Sequence, residues 1–81
     1  MTDEEKIREL KDKIELLTVV AIPREIEAFN FYIILANKSS REGVKQTFIR
    51  LAKEENGHKQ NLEQMLEEAK KELAELQGHI T

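Results

Sequence analysis

The chain has 81 residues, with 36% charged residues, 40% hydrophobic residues, one proline, no cysteine and a net charge of −3. The lack of cysteine excludes a disulfide framework, a thiolate zinc site, a cysteine-ligated iron–sulfur cluster and a cysteine nucleophile, and an acidic chain without a basic tract argues against nucleic-acid binding. What remains is a small all-α domain whose core needs support from a metal or from self-association.

The first predicted element is a helix over about residues 3–37. Thr2 and Glu5 have the spacing of a capping box, and apolar residues then recur at intervals of three, four or seven. These residues are Ile7, Leu10, Ile14, Leu17, Ala21, Ala28 and Leu35. Pro23 lacks an N–H and its ring meets the carbonyl four residues earlier, so it predicts a kink near residues 19–22 within one helix.

A turn at residues 38–40 and a second helix over about residues 41–77 complete the single domain. Ser39 and Glu42 repeat the capping-box spacing, and Gly78 stands where a helix-ending glycine is common. The second apolar stripe contains Val44, Phe48, Leu51, Leu62, Met65, Ala69, Leu73 and Leu76. A connection this short predicts an antiparallel two-helix hairpin.

Targeting and membrane signals are not evident in the sequence. The apolar runs at residues 19–22 and 31–36 are far shorter than the roughly 20 residues that a membrane span needs. The acidic start at residues 2–5 is unlike a signal or transit peptide. We therefore expect a cytoplasmic protein with neither a membrane nor a nucleic acid as its partner.

Polar residues interrupt the second stripe where its spacing calls for apolar ones. Glu55 and His58 lie three residues apart, so they share one helix face and can bind one ion. Glu25 lies on the inward stripe of the first helix. Buried carboxylates and imidazoles are costly unless they are paired or bound to metal, so we expect these three buried residues to be metal ligands. Glu54, four residues before His58, is an alternative to Glu55, which the stripe favours.

One hairpin supplies half of the ligands that a di-iron helical bundle uses. Such a site takes a Glu from each of two helices and a Glu-x-x-His motif from each of the other two. Two copies related by a two-fold axis would supply the full set and bury both stripes in a four-helix bundle, so we expect a homodimer as the minimum unit. Val20, Phe31 and Ile34 point away from Glu25, which predicts assembly beyond the dimer.

Two segments of the chain resemble a known family. Residues 24–32 (REIEAFNFY) and 48–58 (FIRLAKEENGH) resemble the rubrerythrin and encapsulated-ferritin branch of the ferritin-like superfamily. The resemblance covers roughly residues 14–70, although Phe31 stands where the family often has tryptophan. It implies a ferroxidase centre across a dimer interface, with Glu25, Glu55 and His58 as the iron ligands.

The role of Tyr32 has two interpretations. The resemblance places it seven residues after the first-helix ligand, so its hydroxyl would donate a hydrogen bond to a ligand carboxylate. The alternative is a plain core residue. Glu27 points away from the face of Glu25, and we expect it to meet solvent or a secondary cation.

The resemblance implies oxidation of Fe²⁺ to Fe³⁺ by O₂ or peroxide, in iron storage or detoxification. Manganese or zinc could also occupy the di-iron site. An encapsulin shell is an implied partner, with a protein nanocompartment as the location, although residues 76–81 contain no Gly-rich apolar tail of the targeting kind. Two alternatives are a non-enzymatic helical dimer with a structural metal or ion pair, and a rubrerythrin-like peroxide reductase.

Overall fold

The computed structural model describes residues 1–80, which form helices and turns without any strand. Helix α1 spans Asp3–Leu16, a π-helical segment spans Leu17–Ala21, α2 spans Ile22–Lys38 and α3 spans Glu42–Ile80. The first three elements form one continuous helical rod, and α3 returns along it in a hairpin that measures 60 × 17 × 15 Å. The predicted all-α hairpin is confirmed, whereas the pairing of two hairpins stays a prediction.

The start of α1 follows the sequence closely. The Thr2 hydroxyl accepts a hydrogen bond of 3.2 Å from the N–H of Glu5, which satisfies one of the free donors at the helix N-terminus. Three acidic residues in the first turn, Asp3, Glu4 and Glu5, complement the positive end of the helix dipole. Farther along, an ion pair of 3.6 Å between Lys6 and Glu72 joins α1 to α3.

The interruption that Pro23 predicts takes the form of a π-helical segment. At its end the N–H of Ile22 donates to the carbonyl of Leu17, five residues earlier, rather than to the usual fourth. Pro23 follows in the first turn of α2, where its missing N–H costs little. The wider turn gives room beside the proline ring, so the rod continues without a break.

The turn between α2 and α3 is capped differently from the prediction. Ser39 is the C-cap of α2, since its N–H donates to the carbonyl of Ala36 at 3.2 Å. Its hydroxyl donates to the carbonyl of Arg41, and the carboxylate of Glu42 accepts from Gln46 instead of reaching back. The predicted Ser39–Glu42 capping box is therefore wrong, because the serine ends the first rod.

The predicted end of the second helix at Gly78 is also wrong. Helix α3 continues to Ile80, and no glycine within residues 1–80 has a positive φ. A glycine ends a helix when it takes the left-handed conformation, so Gly78 stays inside the helix here. Thr81 lies outside the described residues.

The core of one hairpin is thin. The buried apolar residues are Leu10, Leu17, Ala36, Ala52 and Ala69, and no polar side chain among the described residues is buried as a whole. Two helices contact each other along a single line, so residues at the edges of the second apolar stripe stay exposed to solvent. Val44 and Met65 are 45% and 41% exposed. No helix described over residues 1–80 has the length and hydrophobicity of a membrane span.

Candidate metal centre

Glu25, Glu55 and His58 converge at the middle of the hairpin. Glu25 is in the first turn of α2, and the other two lie one turn apart on α3. The Nδ1 atom of His58 lies 3.6 Å from Oε2 of Glu25 and 3.6 Å from Oε2 of Glu55. One ligand atom from each residue lies within 4.8 Å of the other two. The structure thus brings together the three residues that the sequence selects, across two helices.

The dimensions and chemistry of this cluster fit a divalent metal ion. Nitrogen and oxygen donors bind such ions at about 2.0–2.2 Å, so two donors on one ion lie at most about 4.4 Å apart. Both 3.6 Å separations are inside that limit, and all three ligand atoms lie within 4.8 Å of one another. Carboxylate with imidazole is a donor set that iron, manganese and zinc accept.

The exposure of the three side chains is uneven. Glu25 and Glu55 are 23% and 22% exposed, whereas His58 is 59% exposed. The prediction that all three are buried is therefore wrong for a single hairpin. Two helices cover only one side of each ligand, and a further element would have to cover His58.

One carboxylate oxygen of the cluster is buried without a hydrogen-bond partner. Oε2 of Glu25 is buried and accepts no hydrogen bond. Its neighbour His58 is 3.6 Å away, which is longer than a hydrogen bond. A buried acceptor without a partner costs about 1–3 kcal/mol, and a bound cation would remove that cost.

The electrostatics of the cluster also favour a cation. The pKa of Glu25 is raised above its ordinary value, first because the adjacent Glu55 carboxyl can share a proton with it and then because of partial burial. His58 opposes this shift and lowers the pKa by a smaller amount. Two carboxylates held this close repel each other when both are charged, so either a proton or a metal ion relieves them.

His58 lies in a row of residues on α3 that are seven positions apart. The row consists of Val44, Leu51, His58 and Met65, and we call it the His58 flank. Residues at this spacing lie on one side of a helix. Leu51 is half-buried, and the other three are exposed. An open apolar flank with a candidate ligand at its centre is typical of a helix that packs against another helix.

Tyr32 packs against two aromatic rings and lies seven residues, about two helical turns, after Glu25. Its ring stacks on Phe48 at a centroid distance of 6.4 Å and meets Phe31 at 5.6 Å in a tilted arrangement. Within the described residues its hydroxyl donates no hydrogen bond to Glu25 or Glu55. Core packing is what the structure shows for Tyr32, and a hydrogen bond to a ligand stays a prediction.

The other candidates lie outside the cluster. Glu54 and Glu27 are exposed, and neither belongs to the group of ligand atoms found within residues 1–80. The structure therefore places Glu55, and not its neighbour Glu54, beside His58.

Sequence reasoning did not identify a cavity of about 270 Å³ on the far side of Glu25. Its walls are formed by Glu25, Ile26, Phe29, Asn30, Asn56 and Lys59. A signal was present in the sequence, because three of these residues directly follow a candidate ligand. One step along a helix turns by about 100°, so each of these successors lies about 100° around its helix from the ligand before it, and Glu25 is the wall that the cavity and the cluster share.

Comparison with known proteins places the chain in a family. The family model described as Rubrerythrin matches residues 15–80, which include all of the cluster and most of both long helical rods. Searches of curated proteins and of solved structures give no significant match. The match confirms the resemblance that residues 24–32 and 48–58 carry.

Proposed function

Because the chain belongs to the rubrerythrin family, we propose that two copies form a di-iron ferroxidase whose ligands are Glu25, Glu55 and His58 of each chain. The family indicates a ferritin-like protein with iron-related redox chemistry. The observation that carries the finer proposal is the cluster itself, in which three ligand atoms lie within 4.8 Å and one buried carboxylate oxygen accepts no hydrogen bond.

The need for two copies follows from what one hairpin lacks. A di-iron bundle site takes four carboxylates and two imidazoles, and this chain contributes half of each. His58 is exposed at the centre of an apolar flank, which is where a two-fold related copy would complete the ligand set. Packing two such flanks together would also bury Val44 and Met65, so the same contact serves stability and metal binding.

In this proposal the protein organises the reaction and Fe²⁺ is the substrate. The carboxylates of Glu25 and Glu55 are hard oxygen donors that stabilise the more highly charged Fe³⁺ product, and His58 holds the ion in position. Two Fe²⁺ ions each lose one electron. Dioxygen takes up these two electrons with two protons to give hydrogen peroxide, or hydrogen peroxide takes them up with two protons to give two waters.

Storage or detoxification of iron would be the purpose of this activity. A closed four-helix bundle has no room for a mineral, so storage would need an enclosing shell, and an encapsulin shell stays a prediction. The cluster also fits manganese or zinc, and a peroxide reductase would use the same ligands with another source of electrons.

A second candidate function is a non-enzymatic dimer in which the cluster sets the register of the helices. The observation in its favour is that His58 lies within ion-pair distance of both carboxylates. Buried polar groups do serve this purpose in helical bundles. Against it stands the lack of any hydrogen bond to Oε2 of Glu25, because a structural ion pair would be expected to satisfy that atom with a hydrogen bond from His58.

Aerobic addition of Fe²⁺ separates the two candidates. We expect the near-ultraviolet absorbance of Fe³⁺ to rise rapidly with the wild-type protein and with Glu54→Ala, whose side chain is exposed beside the cluster. Glu55→Ala removes a ligand, so its rate should fall by more than about 10–100-fold, the loss that even an outer-shell change causes. Equal oxidation by Glu55→Ala and the wild type would rule out the ferroxidase.

A further inference from the structure

The cavity beside Glu25 has a fixed relation to the cluster. Ile26, Asn56 and Lys59 line it, and each directly follows a candidate ligand in sequence. Asn56 lies two residues before His58, which is about 200° of rotation around α3. Lys59 directly follows His58 and is turned from it by about 100°, so the cavity and the His58 flank lie on different sides of α3, and Glu25 forms a wall of the cavity.

This placement matters once a second copy covers the His58 flank. That contact closes the side of the cluster where His58 is now exposed. The cavity has about 270 Å³ of space and shares Glu25 as a wall with the cluster, so it offers a second approach to the same centre. A small molecule needs only a few tens of Å³, since a water molecule occupies about 30 Å³ in the liquid.

The lining of the cavity selects among the molecules that a ferroxidase uses. Lys59 contributes a positive charge that offsets the carboxylate of Glu25, so the lining carries no net charge that would draw in Fe²⁺. The amides of Asn30 and Asn56 can donate and accept hydrogen bonds, and Ile26 and Phe29 supply apolar surface. An uncharged oxygen species suits this combination better than a metal ion does.

We propose that this cavity is the entrance through which a small uncharged oxidant, dioxygen or hydrogen peroxide, reaches the Glu25 side of the centre. Metal ions are not drawn to this entrance, because the charge of Lys59 offsets that of the Glu25 carboxylate there. The inference rests on the proposed ferroxidase function and adds to it a separate path for the second substrate.

A blocked entrance tests the inference. Asn30 is an exposed residue in the cavity wall, and Asn30→Trp would fill the space, whereas Asn37→Trp adds the same bulk at an exposed position of α2 outside the cavity. We expect Asn30→Trp to lower the second-order rate constant for the oxidant by about tenfold, equivalent to about 1.4 kcal/mol of barrier. Asn37→Trp should oxidise Fe²⁺ as the wild type does.

The two oxidants are supplied in separate runs at saturating Fe²⁺. A decrease with either oxidant supports the entrance and identifies the species that it admits. Anaerobic binding of Co²⁺, followed by its visible absorbance, should be the same for Asn30→Trp and the wild type. Loss of Co²⁺ binding in Asn30→Trp would mean that the cavity belongs to the metal site or its route, and would overturn the inference.

Thiol labelling supplies a measurement that does not depend on oxidation. The chain has no cysteine, so a single introduced thiol reports one position. We expect Asn30→Cys to react with a maleimide equally in metal-free and Zn²⁺-loaded protein, because the entrance stays open. Met65→Cys lies on the His58 flank and should become protected when Zn²⁺ is bound. Protection of Asn30→Cys by Zn²⁺ would overturn the inference.

The failures of the two proposals are distinguishable. A wild-type protein that does not oxidise Fe²⁺ overturns the ferroxidase and the entrance together. If the wild type oxidises Fe²⁺ and Asn30→Trp does so at the same rate with both oxidants, the entrance alone is overturned.

Discussion

The Nδ1 atom of His58 lies 3.6 Å from Oε2 of Glu25, so a ligand on α3 meets a ligand on α2 although His58 is 59% exposed. The contact is too long for a hydrogen bond and short enough for both atoms to bind one ion. A half-open contact of this kind is expected of a site that a second copy completes.

The first prediction concerns the imidazole ligand. His58→Ala should weaken Co²⁺ binding by more than about 100-fold, because loss of an outer-shell group alone costs about 10–100-fold. His79→Ala is the matched control, since His79 is the other histidine of the chain and is exposed near the end of α3. Anaerobic titration gives both Kd values. Equal Kd values for the two variants would remove His58 from the ligand set.

The second prediction concerns pH. The pKa of Glu25 is raised above its ordinary value in the folded chain, first by the neighbouring Glu55 carboxyl and then by partial burial. The protonated form thus favours the folded state at low pH, and this contribution is lost as pH rises through the raised pKa. In a chelator, Glu25→Gln should have a higher Tm than the wild type at pH 7, and the difference should shrink towards pH 4.

Thermal melts across that pH range give the result, with Glu27→Gln as the control because Glu27 is exposed on the same helix. A Glu25→Gln variant that is less stable than the wild type at pH 7 without metal would contradict the prediction. The metal affinity of the wild type should rise from pH 4 to pH 7, because protons compete with the ion for the ligands at low pH.

The third prediction concerns the partner. Met65→Lys puts a charge on the His58 flank and removes about 1.5–3 kcal/mol of apolar burial per copy, so it should leave a monomer. Ile34→Lys changes an exposed residue outside that flank, and it should keep the dimer while reducing any larger assembly. Analytical ultracentrifugation with and without Zn²⁺ measures both masses. A mass independent of metal in the wild type would argue against ligands shared between copies.

The fourth prediction concerns Gly57, which lies inside α3 between two candidate ligands. A Cβ added there would meet no atom within 4 Å. Gly57→Ala should therefore stabilise the metal-free protein by about 1 kcal/mol, which raises Tm by about 4–8 °C in a chain of this size. Gly43→Ala is the control, because Gly43 has equal space but lies in the first turn of α3, where helix propensity counts less. A lower Tm for Gly57→Ala would reveal a close contact in the assembled protein.

The sequence by itself determined the features that depend on local spacing. The apolar stripes fixed the two helical rods, the Thr2 cap fixed the start of α1, and Pro23 fixed where the first rod is irregular. The same spacing selected the candidate ligands, because Glu55 and His58 occupy positions where a helix would otherwise carry apolar residues. The predictions of the helices succeed because the period of a helix relates neighbours in sequence directly to neighbours in space, whereas the assignment of the ligands stays a prediction.

The remaining features were decided by tertiary structure. Ser39 could have capped either helix, and Gly78 could have been helical or left-handed. The backbone conformation that each residue adopts makes Ser39 the C-cap of α2 and keeps Gly78 inside α3. The 3.6 Å contact of His58 with Glu25 depends on how two rods lie against each other, and so do the exposure of His58 and the cavity behind Glu25. Sequence spacing gives the direction of a side chain on its own helix, whereas distances, exposure and the space between side chains are set by packing between helices.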